Sequence, residues 1–143
     1  MKRIACFVWL CLLYTSVAGA QEGAWTISHA PAANTQATAT KAAGATGVRH
    51  ISECILVTLT AGAVAPVAVQ VTFVVRDGAS GAGTIIWQGT MALTVSAGGS
   101  APPIQLCGLT LVGSPATAMT IEFTAAAGIN TFETVALKGK SGL

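Results

Sequence analysis

The chain has 143 residues, a length that suits one domain of ordinary size, and only 8% of them are charged. Its seven Lys and Arg residues exceed its five Asp and Glu residues, but this excess lies in Lys2 and Arg3 at the start of the chain. The remainder, with five basic and five acidic residues, has no net charge. A neutral chain offers no electrostatic footprint for nucleic acid or anionic lipid, and it lacks the self-repulsion that opposes self-association.

The first twenty residues have the pattern of a secretory signal peptide. Lys2-Arg3 supplies a positive start, Ile4 to Tyr14 is an apolar run too short to cross a bilayer, and Ala18-Gly19-Ala20 is a small-residue cleavage site. A buried N-terminal core strand is the alternative. We expect residues 1–20 to be removed, and we expect no membrane span, because no second long apolar run follows. The mature protein would then be periplasmic or extracellular.

Residues 21–47 have the weakest structural pattern in the chain. Trp25 to Ser28 could form a short strand, but His29 to Lys41 consists mainly of small and polar residues without a core-forming period. The alanines would allow a helix through Ala37 to Ala45, but the interleaved threonines weaken it. We therefore expect an extended N-terminal arm, or an edge segment, ahead of the folded domain.

The stretch from Val67 to Trp87 predicts a β-hairpin. Its odd-numbered residues up to Val75 are apolar and alternate with smaller or polar ones, as on a strand with one buried face. Asp77-Gly78 and the glycines that follow supply the turn. Ile85 and Trp87 are then expected to face inward again.

Residues 48–143 continue this pattern of short alternating segments separated by glycine and proline. Eight or nine strands without a helical period predict an all-β domain, an antiparallel β-sandwich of the jelly-roll or Ig-like type. Alternation, in place of continuous apolar runs, argues against a parallel sheet. In the strand from Val48 to Thr60, we expect one face to carry Ile51, Ile55, Val57 and Leu59.

Two cysteines follow the predicted signal peptide, Cys54 and Cys107. An even pair in an exported chain is a candidate disulfide, and we expect the two residues at strand ends on facing sheets. Two unrelated buried thiols are the alternative. The bond would close a loop of about 53 residues, which the chain-entropy model values at roughly 4 kcal/mol.

The chain offers few groups that could act as catalysts. His29 lies in the arm and His50 at the start of a strand. A Ser-His-Asp arrangement would have to use Asp77, whose place in an Asp-Gly pair favours turn chemistry instead. The glutamates near strands are expected on solvated faces and not in an acid/base pair: Glu53, Glu122 and Glu133. We predict no catalytic residues.

Metal and cofactor sites are not predicted either. The two histidines and the two remaining cysteines lack the short spacings of a zinc site. The glycines of the hairpin turn match a phosphate loop in content, but no Lys-Ser/Thr follows them. Trp25 and Trp87 could stack on a sugar or a base, although burial in a core is the commoner role of tryptophan.

Three segments resemble parts of small uncharacterised β-rich proteins found in phage and prophage gene sets: His29 to Lys41, Arg76 to Trp87, and Gly108 to Phe123. Because these are turn-and-strand motifs, the resemblance implies a fold, that of a virion-surface or tail-associated β-sandwich, and not an activity. The signal peptide departs from that family, since virion proteins of tailed phages assemble in the cytoplasm. It would indicate a host-adopted or surface-acting relative.

These patterns favour an exported, non-enzymatic β-sandwich that acts in surface binding or self-assembly. A phage-derived virion or tail-associated structural protein is the first alternative. An exported hydrolase that uses His29, His50 or Glu133 is the second. We expect self-association through the arm, where Ala37 to Thr40 suits an edge strand; a disordered linker between signal peptide and domain is the alternative. We also expect a cell-surface or virion partner.

Overall fold

The computed structural model describes residues 23–67, 69–94 and 96–143, so the predicted signal peptide lies outside the described residues. Within them the chain forms eight β-strands and no helix. The strands are β1 (Ala24–His29), β2 (Thr38–Lys41), β3 (Arg49–Ala61), β4 (Val69–Asp77), β5 (Thr84–Leu93), β6 (Ile104–Val112), β7 (Met119–Phe123) and β8 (Thr131–Gly142).

The strands form two four-stranded antiparallel sheets, with the orders β1-β8-β3-β6 and β2-β7-β4-β5. β1 pairs with β8, β2 with β7, β3 with β6, and β4 with β5. These four pairs are nested, as in one long hairpin that has been rolled up. The further pairs β3–β8 and β4–β7 complete the two sheets. The predicted antiparallel β-sandwich is confirmed, and its strand order is that of an eight-stranded jelly roll.

The core lies between the two sheets and follows the period-two alternation of the strands. Phe73 and Phe123, on neighbouring strands of the second sheet, are fully buried with ring centroids 6.0 Å apart. The facing side of the first sheet supplies mainly branched aliphatic residues. They are Ile55, Val57, Leu59, Val135 and Leu137.

The alternating strand directions divide the connections between two ends of the sandwich. The β1–β2, β3–β4, β5–β6 and β7–β8 connections lie at one end, which we call the loop end. Gly62 N donates to Asn130 O there, and Asn34 N donates to Thr131 O. Ala24 and Gly142, at the outer ends of β1 and β8, lie at the opposite end with the other three connections.

The hairpin of β4 and β5 is confirmed, but Ile85 does not face inward as expected. A bulge shifts the register, so that Val75 pairs with Trp87 and Arg76 with Ile85. The extra residue on β5 turns Ile85 to the outer face, where 45% of it is exposed. Trp87 does face inward, and its ring centroid lies 5.4 Å from that of Phe73.

A second bulge, in β3, makes the expected inner face of this strand wrong at Ile51. The register with both neighbouring strands shifts between Ser52 and Cys54. Because one added residue moves the following side chains to the other face, the buried residues before the bulge are His50 and Ser52, and Ile51 is only half-buried. The expected inner residues after the bulge, from Ile55 onward, are buried.

The segment before Val48 is extended, and its two strands lie at the edges of the sandwich. β1 is the edge strand of the first sheet, which confirms the predicted short strand at Trp25. β2 is the edge strand of the second sheet and pairs with β7 of the same chain. The helix considered through Ala37 to Ala45 is not formed, because β2 occupies part of that segment.

Candidate functional site

Cys54 and Cys107 form a disulfide, as predicted, but not between facing sheets. They lie directly opposite each other on β3 and β6 of the same sheet, with Cα atoms 4.1 Å apart. Cys107 is exposed and Cys54 is half-buried. The bond therefore ties the edge strand β6 to the centre of its sheet.

Glu122 is buried on the outer face of the second sheet, where a solvated side chain was expected. The β4–β5 loop covers it. Arg76 Nε donates to Oε1 over 2.6 Å, Gly81 N donates to the same oxygen over 3.1 Å, and the Ser80 hydroxyl donates to Oε2. Desolvation on burial raises the pKa of this carboxyl, but the hydrogen bonds from Ser80, Arg76 and Gly81 outweigh it and hold the pKa below the ordinary value of 4.5. Glu122 therefore anchors the loop to the sheet.

Glu133 is also buried, near the loop end and facing into the sandwich. Its two oxygens accept hydrogen bonds from Ala37 N over 2.7 Å and from Ala127 N over 2.6 Å. Desolvation raises the pKa of the carboxyl above 4.5, although both hydrogen bonds act in the opposite direction. The side chain joins the start of β2 to the β7–β8 loop, so the solvated role expected for it is wrong.

His50 is fully buried and has a partner on each ring nitrogen. Nε2 lies 2.7 Å from Ala42 O, and Nδ1 lies 2.7 Å from the Ser141 hydroxyl. Since a carbonyl only accepts, Nε2 carries the hydrogen, and in the neutral ring Nδ1 accepts from Ser141. Trp25 packs edge-on against the imidazole with centroids 5.9 Å apart. This histidine is held in the core by its partners.

Ser52 and Trp25 complete this buried polar cluster. They lie on either side of Gly139, which pairs with both across the first sheet. A Cβ atom at Gly139 would lie 2.7 Å from Trp25 Cζ2, so the indole occupies the space above the glycine. Trp25 Nε1 and Ser52 Oγ are buried and have no hydrogen-bond partner within the described residues. The sequence pattern did not indicate this cluster, because the β3 bulge brings it to the inner face.

The remaining candidates do not converge on His50. The exposed His29 accepts a hydrogen bond from Thr38 N at Nδ1, over 3.0 Å. Asp77 accepts from Ser114 N over 2.9 Å and from the Ser114 hydroxyl over 2.6 Å. Its carboxylate thus holds the β6–β7 loop and not its own turn. Glu53 pairs with Lys140 over 2.8 Å on the exposed outer face of the first sheet.

The surface at the loop end combines uncharged connections with exposed apolar side chains. By sequence, its four connections contain no charged residue. Among the described residues, four large apolar side chains are exposed there, three in the connections and one at the start of β8: Val64, Val67, Ile129 and Phe132. The β3–β4 and β7–β8 connections are joined by the bond from Gly62 N to Asn130 O, and Gly62 leaves room for the Phe132 ring beside it. Exposed apolar residues gathered in one region mark contact surfaces.

Among residues 23–67, 69–94 and 96–143, no group of three or more His, Cys, Asp and Glu could hold a metal ion. In the same part of the chain, no helix has the length and apolar character needed to cross a bilayer. Comparison with protein-family models, curated proteins and solved structures found no match to this chain in any of the three.

Proposed function

We propose that this protein is an exported, non-enzymatic contact protein that works by surface binding or self-assembly. The observation that carries the proposal is the loop end, where Val64, Val67, Ile129 and Phe132 are exposed beside connections that contain no charged residue. When a partner covers a surface of this kind, the free energy falls because apolar area is removed from water. Glu133, on β8 near this end, is buried, so its charge does not oppose such contact.

Export is supported by the N-terminal sequence pattern and by the disulfide, since disulfides persist in oxidising compartments. We expect the mature protein to begin at Gln21 and to lie in the periplasm or outside the cell. Intact-mass measurement of the exported protein should show the loss of residues 1–20. Retention of Met1 in the exported material would overturn this part of the proposal.

The contact role is tested with purified mature protein and washed envelopes of the cells that export it. We expect the wild type to sediment with the envelopes, and the Val67→Asp, Ile129→Asp double variant to stay in the supernatant. The matched control is Leu143→Asp, because Leu143 is 76% exposed but lies at the opposite end. Wild-type protein that neither binds envelopes nor self-associates would overturn the contact role.

A phage-derived virion or tail-associated structural protein is a second candidate. The jelly-roll strand order favours it, because that architecture is common in viral capsid domains. The sequence resemblance to phage and prophage proteins adds to this support. Electron microscopy of particles from producing cells, with an antibody against this chain, would test it: label on particles supports the candidate, and label confined to the envelope contradicts it.

A hydrolase has less support than either candidate. His50 and Glu133, two of the residues it would use, are buried and fully engaged by Ala42, Ser141, Ala37 and Ala127. Conversion of a generic esterase or glycosidase substrate, abolished by changing His29, His50 or Glu133, would restore the enzymatic proposal.

A further inference from the structure

β5 presents a long and unprotected strand edge. Residues Trp87 to Leu93 pair in unbroken register with Val69 to Val75 of β4, and β5 is the outermost strand of its sheet. These seven residues include no charged residue and no proline. Natural edge strands are commonly blunted by charges, proline or bulges, so this segment lacks the usual barriers to pairing with another strand.

The other three edges are better protected. β6 is bulged in its middle, because Leu111 and Cys107 are four positions apart while their partners Ser52 and Cys54 are two apart. The bulge of β5 lies before Trp87 and leaves the segment from Trp87 to Leu93 regular. β1 and β2 are short and pack against each other across the two sheets. β5 is therefore the edge best suited to accept a strand.

The backbone groups of β5 that face outward can be assigned from its neighbours. Thr72 O accepts a hydrogen bond from Thr124 N, so the backbone groups of Thr72 point toward β7. Thr72 pairs with Thr90, and residues opposite each other in an antiparallel ladder share one bonding type. The N–H and C=O groups of Thr90 therefore point away from β4 to the free edge, as do those of Gln88 and Ala92.

We propose that Trp87–Leu93 pairs antiparallel with the same segment of a second copy of this chain, about a two-fold axis at Thr90. The proposal rests on the self-assembly included in the proposed function and assigns it a surface. The outward groups of Gln88, Thr90 and Ala92 then meet their counterparts in the other copy. The result is a continuous sheet of eight strands across the two molecules, with an isologous interface.

The side chains of this segment suit pairing with themselves. About an axis at Thr90, Thr90 meets Thr90 of the second copy, a favourable cross-strand pair. Met91 lies opposite Gly89, beside which the Phe73 and Trp87 rings of the same chain are packed, and Trp87 lies opposite the smaller Leu93. No like charges are brought together, because the segment carries none. A second copy is thus a partner whose side chains and charge both fit this edge.

Space beside the edge also favours an incoming strand. A recess of about 300 Å³ borders the middle of the segment and is lined by Thr90, Met91, Ala92, Ala101, Pro102 and Ile104. The lining is mostly apolar. Because this space borders Thr90, an incoming strand would meet open space beside the two-fold axis.

Sedimentation velocity of the mature protein over a concentration series tests the proposal. We expect a dimer for the wild type. Thr90→Lys places two ammonium groups opposite each other at the axis, and we expect it to raise the dimer Kd by about tenfold or more. The control is Thr110→Lys, the same change at another exposed position, on the edge strand β6. We expect it to remain a dimer.

The outcomes separate this proposal from the contact function. A Thr90→Lys protein that dimerises as tightly as wild type overturns the β5 interface, while self-assembly stands. Loss of the dimer only in Thr40→Lys would assign assembly to β2 and also overturn it. A wild type that is monomeric throughout overturns the interface, and envelope binding then decides the contact function independently.

A covalent readout is available should Thr90→Lys fail to fold. In the proposed dimer Thr90 of one copy lies opposite Thr90 of the other as a hydrogen-bonded pair, with Cα atoms about 5.5 Å apart, which is within the Cα range of disulfides. Thr90→Cys should therefore form a cross-linked dimer under mild oxidation, whereas Thr110→Cys should remain mostly uncross-linked. Equal cross-linking of the two variants would contradict the proposed register.

Discussion

Arg76 and Glu122 form an ion pair between neighbouring strands β4 and β7, with Nε and Oε1 2.6 Å apart and both side chains largely shielded from solvent. Arg76 also donates to Gly83 O over 3.0 Å, so the pair links the sheet to both halves of the β4–β5 loop. Removing one partner leaves the other charge buried without compensation. We expect Glu122→Gln to lower the free energy of unfolding by about 3 kcal/mol at neutral pH, as measured by denaturant titration.

The same substitution at Glu53 is the matched control. Glu53 pairs with Lys140 at a similar distance of 2.8 Å, but both side chains are well exposed. Exposed pairs contribute at most about 1 kcal/mol, so Glu53→Gln should change stability little. Equal losses for the two variants would mean that burial of the Arg76–Glu122 pair does not matter.

The contribution of Glu122 should depend on pH in a defined direction. The hydrogen bonds that it accepts hold its pKa below 4.5 despite burial. The unfolded chain therefore binds the proton more tightly, and the stabilisation is present above pH 4.5 and lost as the pH falls through the folded pKa. The stability difference between wild type and Glu122→Gln should shrink in acid. A difference that stays constant down to pH 2 would contradict this.

Glu133 should show the opposite pH dependence. Burial raises the pKa of its carboxyl above 4.5, so the folded protein binds this proton more tightly than the unfolded chain does. The stabilisation is complete below pH 4.5 and is lost as the pH rises through the folded pKa. The stability of wild type relative to Glu133→Gln should therefore fall with rising pH. A titration of the Glu133 carboxyl by NMR with a midpoint below 4.5 would contradict this.

The sandwich was predictable because its strands alternate with period two in the local sequence, as in β4 and β7. The two bulges were not. Whether Ile51 or His50 faces inward depends on the register that β3 adopts with β8 and β6, and those partners lie far along the chain. A local pattern also could not decide between the jelly-roll and Ig-like orders, which differ only in pairings between distant strands.

The surroundings of the glutamates also could not be predicted from the local sequence pattern. Glu122 looked like an outward strand residue, and it does face outward, but a loop more than forty residues away in sequence covers it. Glu133 accepts from Ala37, 96 residues away. In contrast, the Cys54–Cys107 pair was predictable because only two cysteines follow the predicted signal peptide. The uncharged loop end was visible in the sequence, but only the strand order shows that those connections lie together.

Gly139 should tolerate no side chain. A Cβ atom there would lie 2.1 Å from the backbone oxygen of Ile51 and 2.7 Å from Trp25 Cζ2. Because the nearest atom belongs to a paired strand, relief requires the sheet itself to move. We expect Gly139→Ala to lower the free energy of unfolding by about 3 kcal/mol. Gly142, on the same strand, has nothing within 4 Å of a Cβ position, so Gly142→Ala should cost less than about 1 kcal/mol. Equal effects would refute the close packing of Trp25.

The disulfide between Cys54 and Cys107 should account for a large part of the stability of the mature protein. It links β3 to the edge strand β6 over a sequence separation of 53 residues. The chain-entropy model gives about 4 kcal/mol for a loop of this size. A Cys54→Ser, Cys107→Ser double variant should lose roughly that amount, and reduced wild type should match it. Thiol labelling of denatured, unreduced wild type should detect almost no free thiol. Two labelled thiols per mature chain would refute the bond and weaken the assignment to an oxidising compartment.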